Sequence, residues 1–485
     1  MKTERAINSK SIMFMHKEES PKANNATGDV KRLKGDMTNG SIIRLITLFA
    51  IPTFLTSLLN QLYNMADSAV VGQFCGAEAL ASVGVCSLPV MFVSMFFQGV
   101  SIGAGIYIAQ LIGAGKHNEI SRAFNTMYTL VACISAAVGI LGIGLAEPLF
   151  RALDTPVEIL PGAVLYFRIV CACMPGMSIY LAGAQALRSI GDTKAPLYFL
   201  IFCAISNVAL NVLFVAFMHM GVAGVAWATF ISQYLSGILV LRRTSSTTYC
   251  RILINHSTLR ADPVMSKIML RLGIPTALTS AITSLGSMFC QKYINFFGAS
   301  AVAANTAVHR VDGFIALPCY ALGAAISVFI GQNLAARRNE RIKKAVWFSM
   351  GTATLITVVL SAIFYVYAGS LVRVFTDNEQ VIILGTQMSR VLCFSYWTMA
   401  VYNVLVAIMR GAGDTLSGMV ISVIGAIAQV PLSYYMAINL ETPTFANLYW
   451  AKGSTYALMM LLSLVYYLAG RWKKKVVVDV SKSAG

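Results

Sequence analysis

The sequence predicts an all-α membrane protein of twelve transmembrane helices, arranged as two pseudo-symmetric six-helix lobes. Three observations carry that reading. The chain is 57% hydrophobic and only 12% charged, whereas a soluble domain carries about 25% charged residues. Its apolar runs reach the ~20 residues that a spanning helix needs and far exceed the ~10-residue alternating strands of a barrel. The two halves of the chain also align at an almost constant offset of 222 positions.

Taken in order, residues 1–40 are polar and basic, and their one apolar patch, Ile12 to Met15, is too short for a signal-peptide core. They are expected to form a disordered cytoplasmic tail. Residues 41–242 form the first lobe, with spans near 44–73, 79–110, 121–146, 158–187, 194–218 and 221–241. Residues 243–266 form a linker whose Thr244–Thr248 run is polar enough to let the lobes rock. The second lobe occupies 267–470, with spans near 267–296, 301–333, 343–369, 380–410, 416–438 and 445–470, and 471–485 is a basic tail.

The net charge of +17 has a topological explanation. Nine Lys and Arg precede the first span through Arg44, and others cluster at Lys116 and Arg122, at Arg188 and Lys194, from Arg242 to Arg271, from Arg337 to Lys344, and after Arg471. The opposite joints hold only Arg151, Arg373 and Lys452. Positive charge on alternate joints places both termini in the cytoplasm, in an inner-membrane protein with an even number of spans. The remaining attraction is to anionic lipid, and no nucleic-acid partner is expected. The ten cysteines include no Cys-x-x-Cys pair and no zinc spacing, and most lie in apolar segments as small packing residues.

The repeat is specific. Ile51-Pro52-Thr53 recurs one residue out of step as Ile274-Pro275-Thr276, and Gly76-Ala77-Glu78-Ala79-Leu80-Ala81 recurs as Gly298-Ala299-Ser300-Ala301-Val302-Ala303. Gln110 matches Gln332, Arg168 matches Arg390, and Arg188 with Gly191-Asp192-Thr193 matches Arg410 with Gly413-Asp414-Thr415. Six spans per half make the halves parallel repeats, an arrangement that puts the substrate path between lobes near the bilayer midplane. In each Arg-x-x-Gly-Asp-Thr turn the Asp is placed to cap the next helix and the Arg to complement the preceding helix C-terminus.

An ionisable side chain at membrane depth is costly and so marks function. Asp67 follows Asn60 and Asn64 at i, i+4, i+7 spacing in the first span. A carboxylate there can take Na⁺ through oxygen ligands or carry a proton once desolvated; the alternative is a cap at a hydrated helix end. Asn305, His309 and Asp312 repeat the spacing in the eighth span, with Arg310 beside them and Lys292 in the seventh. His309 can pair with Asp312 and titrate near neutrality, or the group can be a neutralised structural cluster.

The Ile-Pro-Thr first helix, Asp67 within Asn-Met-Ala-Asp-Ser-Ala-Val-Val-Gly, both Arg-x-x-Gly-Asp-Thr turns, and Gly221-Val-Ala-Gly-Val-Ala-Trp-Ala-Thr229 resemble the multidrug and toxic compound extrusion (MATE) family over residues 40–470. The resemblance implies a six-plus-six fold and Na⁺- or H⁺-driven export of amphipathic, often cationic compounds. It also implies a first-lobe coupling site drawing on the fifth and sixth spans, at Asn207, Asn211 and Thr229. The chain departs from the family where Asn211 replaces an acid common at that position and where the seventh span lacks Asp and Glu. Asn207 and Asn211 can serve equally as ion ligands or as helix–helix hydrogen-bonding groups.

The leading expectation is therefore a monomeric antiporter exporting small organic molecules, with Na⁺ or H⁺ as coupling ion and no cofactor. High Phe, Tyr and Met content suits an adaptable cavity. A lipid or lipid-linked precursor flippase is the alternative, favoured by Lys292 and Arg310 if they face the cavity. No Gly-x-x-x-x-Gly-Lys-[Ser/Thr] loop and no convergent catalytic set is present, so an ATPase or membrane enzyme is not expected.

Overall fold

The computed structural model describes residues 36–74, 76–246, 261–439 and 443–478; the side chains of residues 64, 66–77 and 80 lie outside the description. The first lobe comprises α1 (Ile42–Phe74), α2 (Gly76–Gly113), α3 (His117–Ala152), α4 (Leu160–Ser189), α5 (Lys194–Asn211) and α6 (Gly221–Ser245). The second comprises α7 (Pro263–Phe296), α8 (Ala299–Ala335), α9 (Asn339–Arg373), α10 (Glu379–Cys393), α11 (Tyr396–Gly411), α12 (Thr415–Ser433) and α13 (Phe445–Leu468). Ten of these helices are long and apolar enough to cross a membrane, and α10 with α11 makes a further span bent by 50°. The last helix, α13, is less apolar because it carries Asn447, Lys452 and several tyrosines.

The fourth span of the second lobe was expected as one helix over 380–410. It is broken at Phe394 and Ser395, where the Ser395 hydroxyl bonds the Leu392 carbonyl and takes up a group left over at the helix end. Its counterpart α4 runs unbroken through Pro175.

The 222-residue repeat extends to backbone irregularities. Both fifth spans end in a π-helical turn, Val212–Phe217 and Tyr434–Ile438. Both Gly-Asp-Thr turns put glycine at positive φ, +83° at Gly191 and +91° at Gly413, a conformation that a β-carbon would strain. The expected caps are present. Asp192 accepts from the Ala195 N–H, and Asp414 accepts from the Ser417 N–H and hydroxyl. Each Asp also reaches the end of its lobe's last helix, Asp192 through Arg243 at 2.7 Å and Asp414 through the Tyr466 hydroxyl. Arg188 and Arg410 stand in the last turns of α4 and α11, where a positive charge complements the helix C-terminus, and Arg188 also donates to the Gln185 side chain.

The lobes meet where α2 packs on α7 and α1 on α8. A β-carbon on Gly103 would lie 2.4 Å from the Gly273 nitrogen, and one on Gly99 would lie 2.5 Å from the Ala277 nitrogen. Gly99-x-x-x-Gly103 thus seats against Gly273-x-x-x-Ala277. Small residues four apart let helix backbones touch, which is how helices gain contact in lipid, where no hydrophobic effect separates them from solvent. Replacing Gly103 by Val is expected to lower the thermal midpoint in detergent, at a cost of about 1–3 kcal/mol for overpacking. Gly84, whose added β-carbon would meet nothing within 4 Å, should accept Ala with no loss or a gain of up to ~1 kcal/mol.

Candidate functional site

In the second lobe the chain carries an ion pair at membrane depth. Lys452, in the second turn of α13, places Nζ 3.5 Å from Asp312 Oδ2 on α8, and the two side chains are only 17% and 16% exposed. His309, one turn before Asp312, puts Nδ1 3.6 Å from the same carboxylate oxygen and is itself 47% exposed. The buried Tyr396 lies alongside Asp312, carried there by the break between α10 and α11. Tyr456, one turn beyond Lys452 on α13, flanks the pair. Asn305 turns elsewhere, its Oδ1 accepting from the buried Tyr449 hydroxyl at 3.0 Å.

Three placements correct the reading from sequence. Lys452 had been counted as an outer-joint charge, yet it lies inside a helix. The expected span 445–470 already contained it, but its partner, 140 residues upstream, was not visible. Lys292 is exposed on α7 and stands outside the cluster. Arg310 also points away, its guanidinium lying 5.9 Å from the Phe375 ring centroid.

The pair sits next to the boundary between lobes. A β-carbon on Gly313, the residue after Asp312, would lie 3.9 Å from Gln61 Nε2 on α1. A charge in this position is tolerable because Lys452 neutralises it, and removing either partner leaves the other buried and uncompensated.

In the first lobe, Asn207, Asn211 and Thr229 come together as expected. Asn211 Nδ2 donates to Asn207 Oδ1 at 2.9 Å, and Asn207 Nδ2 lies 3.4 Å from both Thr229 Oγ1 and Ser232 Oγ. Both asparagines are fully buried between α5 and α6, and α1 packs against α5. The Asn64 and Asp67 side chains fall outside the described residues. Ser232 was not singled out from sequence, although it stands one turn after Thr229 on the same helix face.

The chain belongs to the MatE family, which matches it twice, at residues 52–213 and 275–435, once in each lobe. It is similar to the probable multidrug resistance protein YoeA of Bacillus subtilis, 25% identical over 447 residues and covering 90% of this chain and 96% of that one. It is also similar to an FAD transporter of Shewanella oneidensis, 25% identical over 394 residues and covering 80% and 86%. A crystal structure of MATE in complex with MaL6 shares the fold with a TM-score of 0.84, at 20% identity and 91% and 99% coverage. The protein is thus a multi-pass membrane transporter of small molecules and not an enzyme.

Lys452→Met is expected to destabilise the protein by about 3–5 kcal/mol by stranding the Asp312 charge. The double variant with Asp312→Asn should recover most of that loss, as measured by unfolding midpoints in detergent.

Proposed function

We propose that this transporter is a cation-coupled antiporter that exports small amphipathic or cationic organic compounds by alternating access between its lobes. The observation that carries this reading is the Asp312–Lys452 ion pair beside the lobe boundary. A membrane-embedded carboxylate that already holds a tethered ammonium is an exchange site. A proton on Asp312 frees Lys452, and a cationic cargo at Asp312 must displace it. Na⁺ at Asp312 would need several oxygen ligands close to a fixed positive charge.

The first lobe supplies a second coupling site at Asp67 with Asn64, Asn207, Asn211 and Thr229. A carboxylate with amide and hydroxyl oxygens is a donor set that suits Na⁺, and Asp67 is its metal ligand in this reading. The face with the basic joints is cytoplasmic, in the inner membrane, and the protein works as a monomer.

A second reading has one observation in its favour. Lys452 is a largely buried cation in the second lobe, and the Shewanella relative is named an FAD transporter, which favours an anionic cargo, including a lipid-linked precursor. The support once drawn from Lys292 and Arg310 no longer stands, since neither joins the cluster.

Ethidium efflux from proteoliposomes under an imposed proton or Na⁺ gradient tests these readings. Asp312→Asn is expected to cut proton-driven efflux at least tenfold, and Asp67→Asn to cut efflux under whichever gradient drives the wild type. Normal export by both variants under both gradients rules out the coupling sites. FAD efflux without ethidium efflux selects the anionic cargo.

A further inference from the structure

Gln110 on α2 and Gln332 on α8 are repeat partners, and both are fully buried at the end of the bundle that carries the chain termini. Each reaches across the lobe boundary. Gln110 Nε2 donates to the Gly411 carbonyl at 3.2 Å, and Gln332 Nε2 donates to the Ser189 carbonyl at 3.0 Å. Ser189 and Gly411 are themselves repeat partners, the last residues of α4 and α11, so each amide satisfies a carbonyl that its own helix leaves without a partner. The other end of each amide is occupied as well. Gln332 Oε1 accepts from the Met37 N–H at 2.8 Å, and Gln110 Oε1 accepts from the Val477 N–H at 2.9 Å.

We propose that Gln110 and Gln332 form a paired latch that holds the lobes closed at this face and releases when the transporter turns over. The inference rests on the rocking of two lobes proposed above. The other repeated polar contacts, Asp192 to Arg243 and Asp414 to Tyr466, tie helices within one lobe, whereas the glutamines join bodies that must part.

The chemistry suits a joint that opens in every cycle. An amide donates and accepts at once, so each glutamine satisfies one carbonyl across the seam and one N–H of a chain end with no charge to desolvate. When the lobes separate, water replaces each bond, and the net difference per bond is small. The seam is tight in the closed state, since a β-carbon on Gly113 would lie 2.0 Å from the Gln332 carbonyl oxygen and one on Gly331 would lie 3.3 Å from the Ala109 β-carbon. The chain ends strengthen it. Asn333 Nδ2 and Arg341 bind the Met37 carbonyl, and Arg338 binds that of Thr38, so the segment before α1 is strapped to the second lobe. Val478, after α13, is buried in the core of the first lobe.

The test reads lobe position directly, without cargo, so it fails separately from the assignment of substrate or ion. Nitroxide labels on cysteines introduced at Lys194 and Leu416, exposed repeat partners at the starts of α5 and α12, report the separation of the lobes at this face in cysteine-free protein in nanodiscs. The parent should give one short distance. Gln110→Leu with Gln332→Leu should add a long-distance population, the closed-to-open ratio falling ~tenfold for each latch removed, the effect of a carbonyl left unpaired in the closed state. Each single variant should fall between. Variants that keep the parent distribution while losing only thermal stability would overturn the proposal. If the double variant does not fold, the single variants, each retaining one latch, are read by the same criterion. Failure of both single variants to fold also counts against a latch, because a gate that opens in every cycle must be dispensable to each lobe's fold.

Discussion

Contact of backbone on backbone, where α2 crosses α7, is the constraint on which the rest of the architecture depends. Gly99, Gly103, Gly273 and Ala277 leave no room for larger side chains, so the helices approach as closely as their main chains allow. That proximity brings Gln110 within reach of Gly411 and presses Gly113 against the Gln332 carbonyl. It also brings α1 alongside α8, so that Gln61 of one lobe neighbours the residue after Asp312 of the other. The ion pair has its place at the lobe boundary only because the boundary is this narrow.

The repeat separates scaffold from site. Residues that shape the bundle are duplicated: Pro52 and Pro275 within the first helices, the glycine turns, the capping aspartates, the π-helical turns and the boundary glutamines. The residues of the ion pair are not. Asp312 answers to Val90 at the offset of 222, and Lys452 answers to Phe230. In the other direction, Asn207 and Thr229 answer to Gln429 and Ala451. The lobes are alike in how they fold and unlike in the polar groups they enclose. One lobe holds a charged pair joined across α8 and α13, and the other a neutral amide and hydroxyl network between α5 and α6. One symmetric frame thus holds two polar clusters of different chemistry.

Much of this was legible in the sequence. Apolar runs gave the spans because a helix in lipid must be long and apolar whatever it packs against, and the offset of 222 gave the lobes because the duplicated residues are those the frame cannot lose. What escaped depends on contacts distant in sequence. Lys452 reads as a joint charge until Asp312, 140 positions away, is seen beside it. The break at Phe394 and Ser395 contains neither proline nor glycine, and its consequence, Tyr396 beside Asp312, is tertiary. Gln110 and Gln332 were visible as a matched pair, but their partners at Gly411 and Ser189 lie 301 and 143 positions away. Helical spacing alone grouped Asn305 with His309 and Asp312, although its amide oxygen serves Tyr449 instead.

The division between charged and neutral contacts follows from what each joint must do. A buried ion pair is expensive to break, about 3–5 kcal/mol when one partner is lost, and a hydrogen bond between neutral groups nets only about 0.5–1.5 kcal/mol. A gate built from pairs like Asp312 and Lys452 would close too firmly to open unaided. A coupling site built from amides alone would not distinguish a loaded state from an empty one. In this chain the amides lie across the seam between the lobes, and the membrane-embedded ion pair lies wholly within one lobe, between α8 and α13. Protonation or cargo binding can then change the energy of the second lobe by several kcal/mol, while the seam itself needs much less to part.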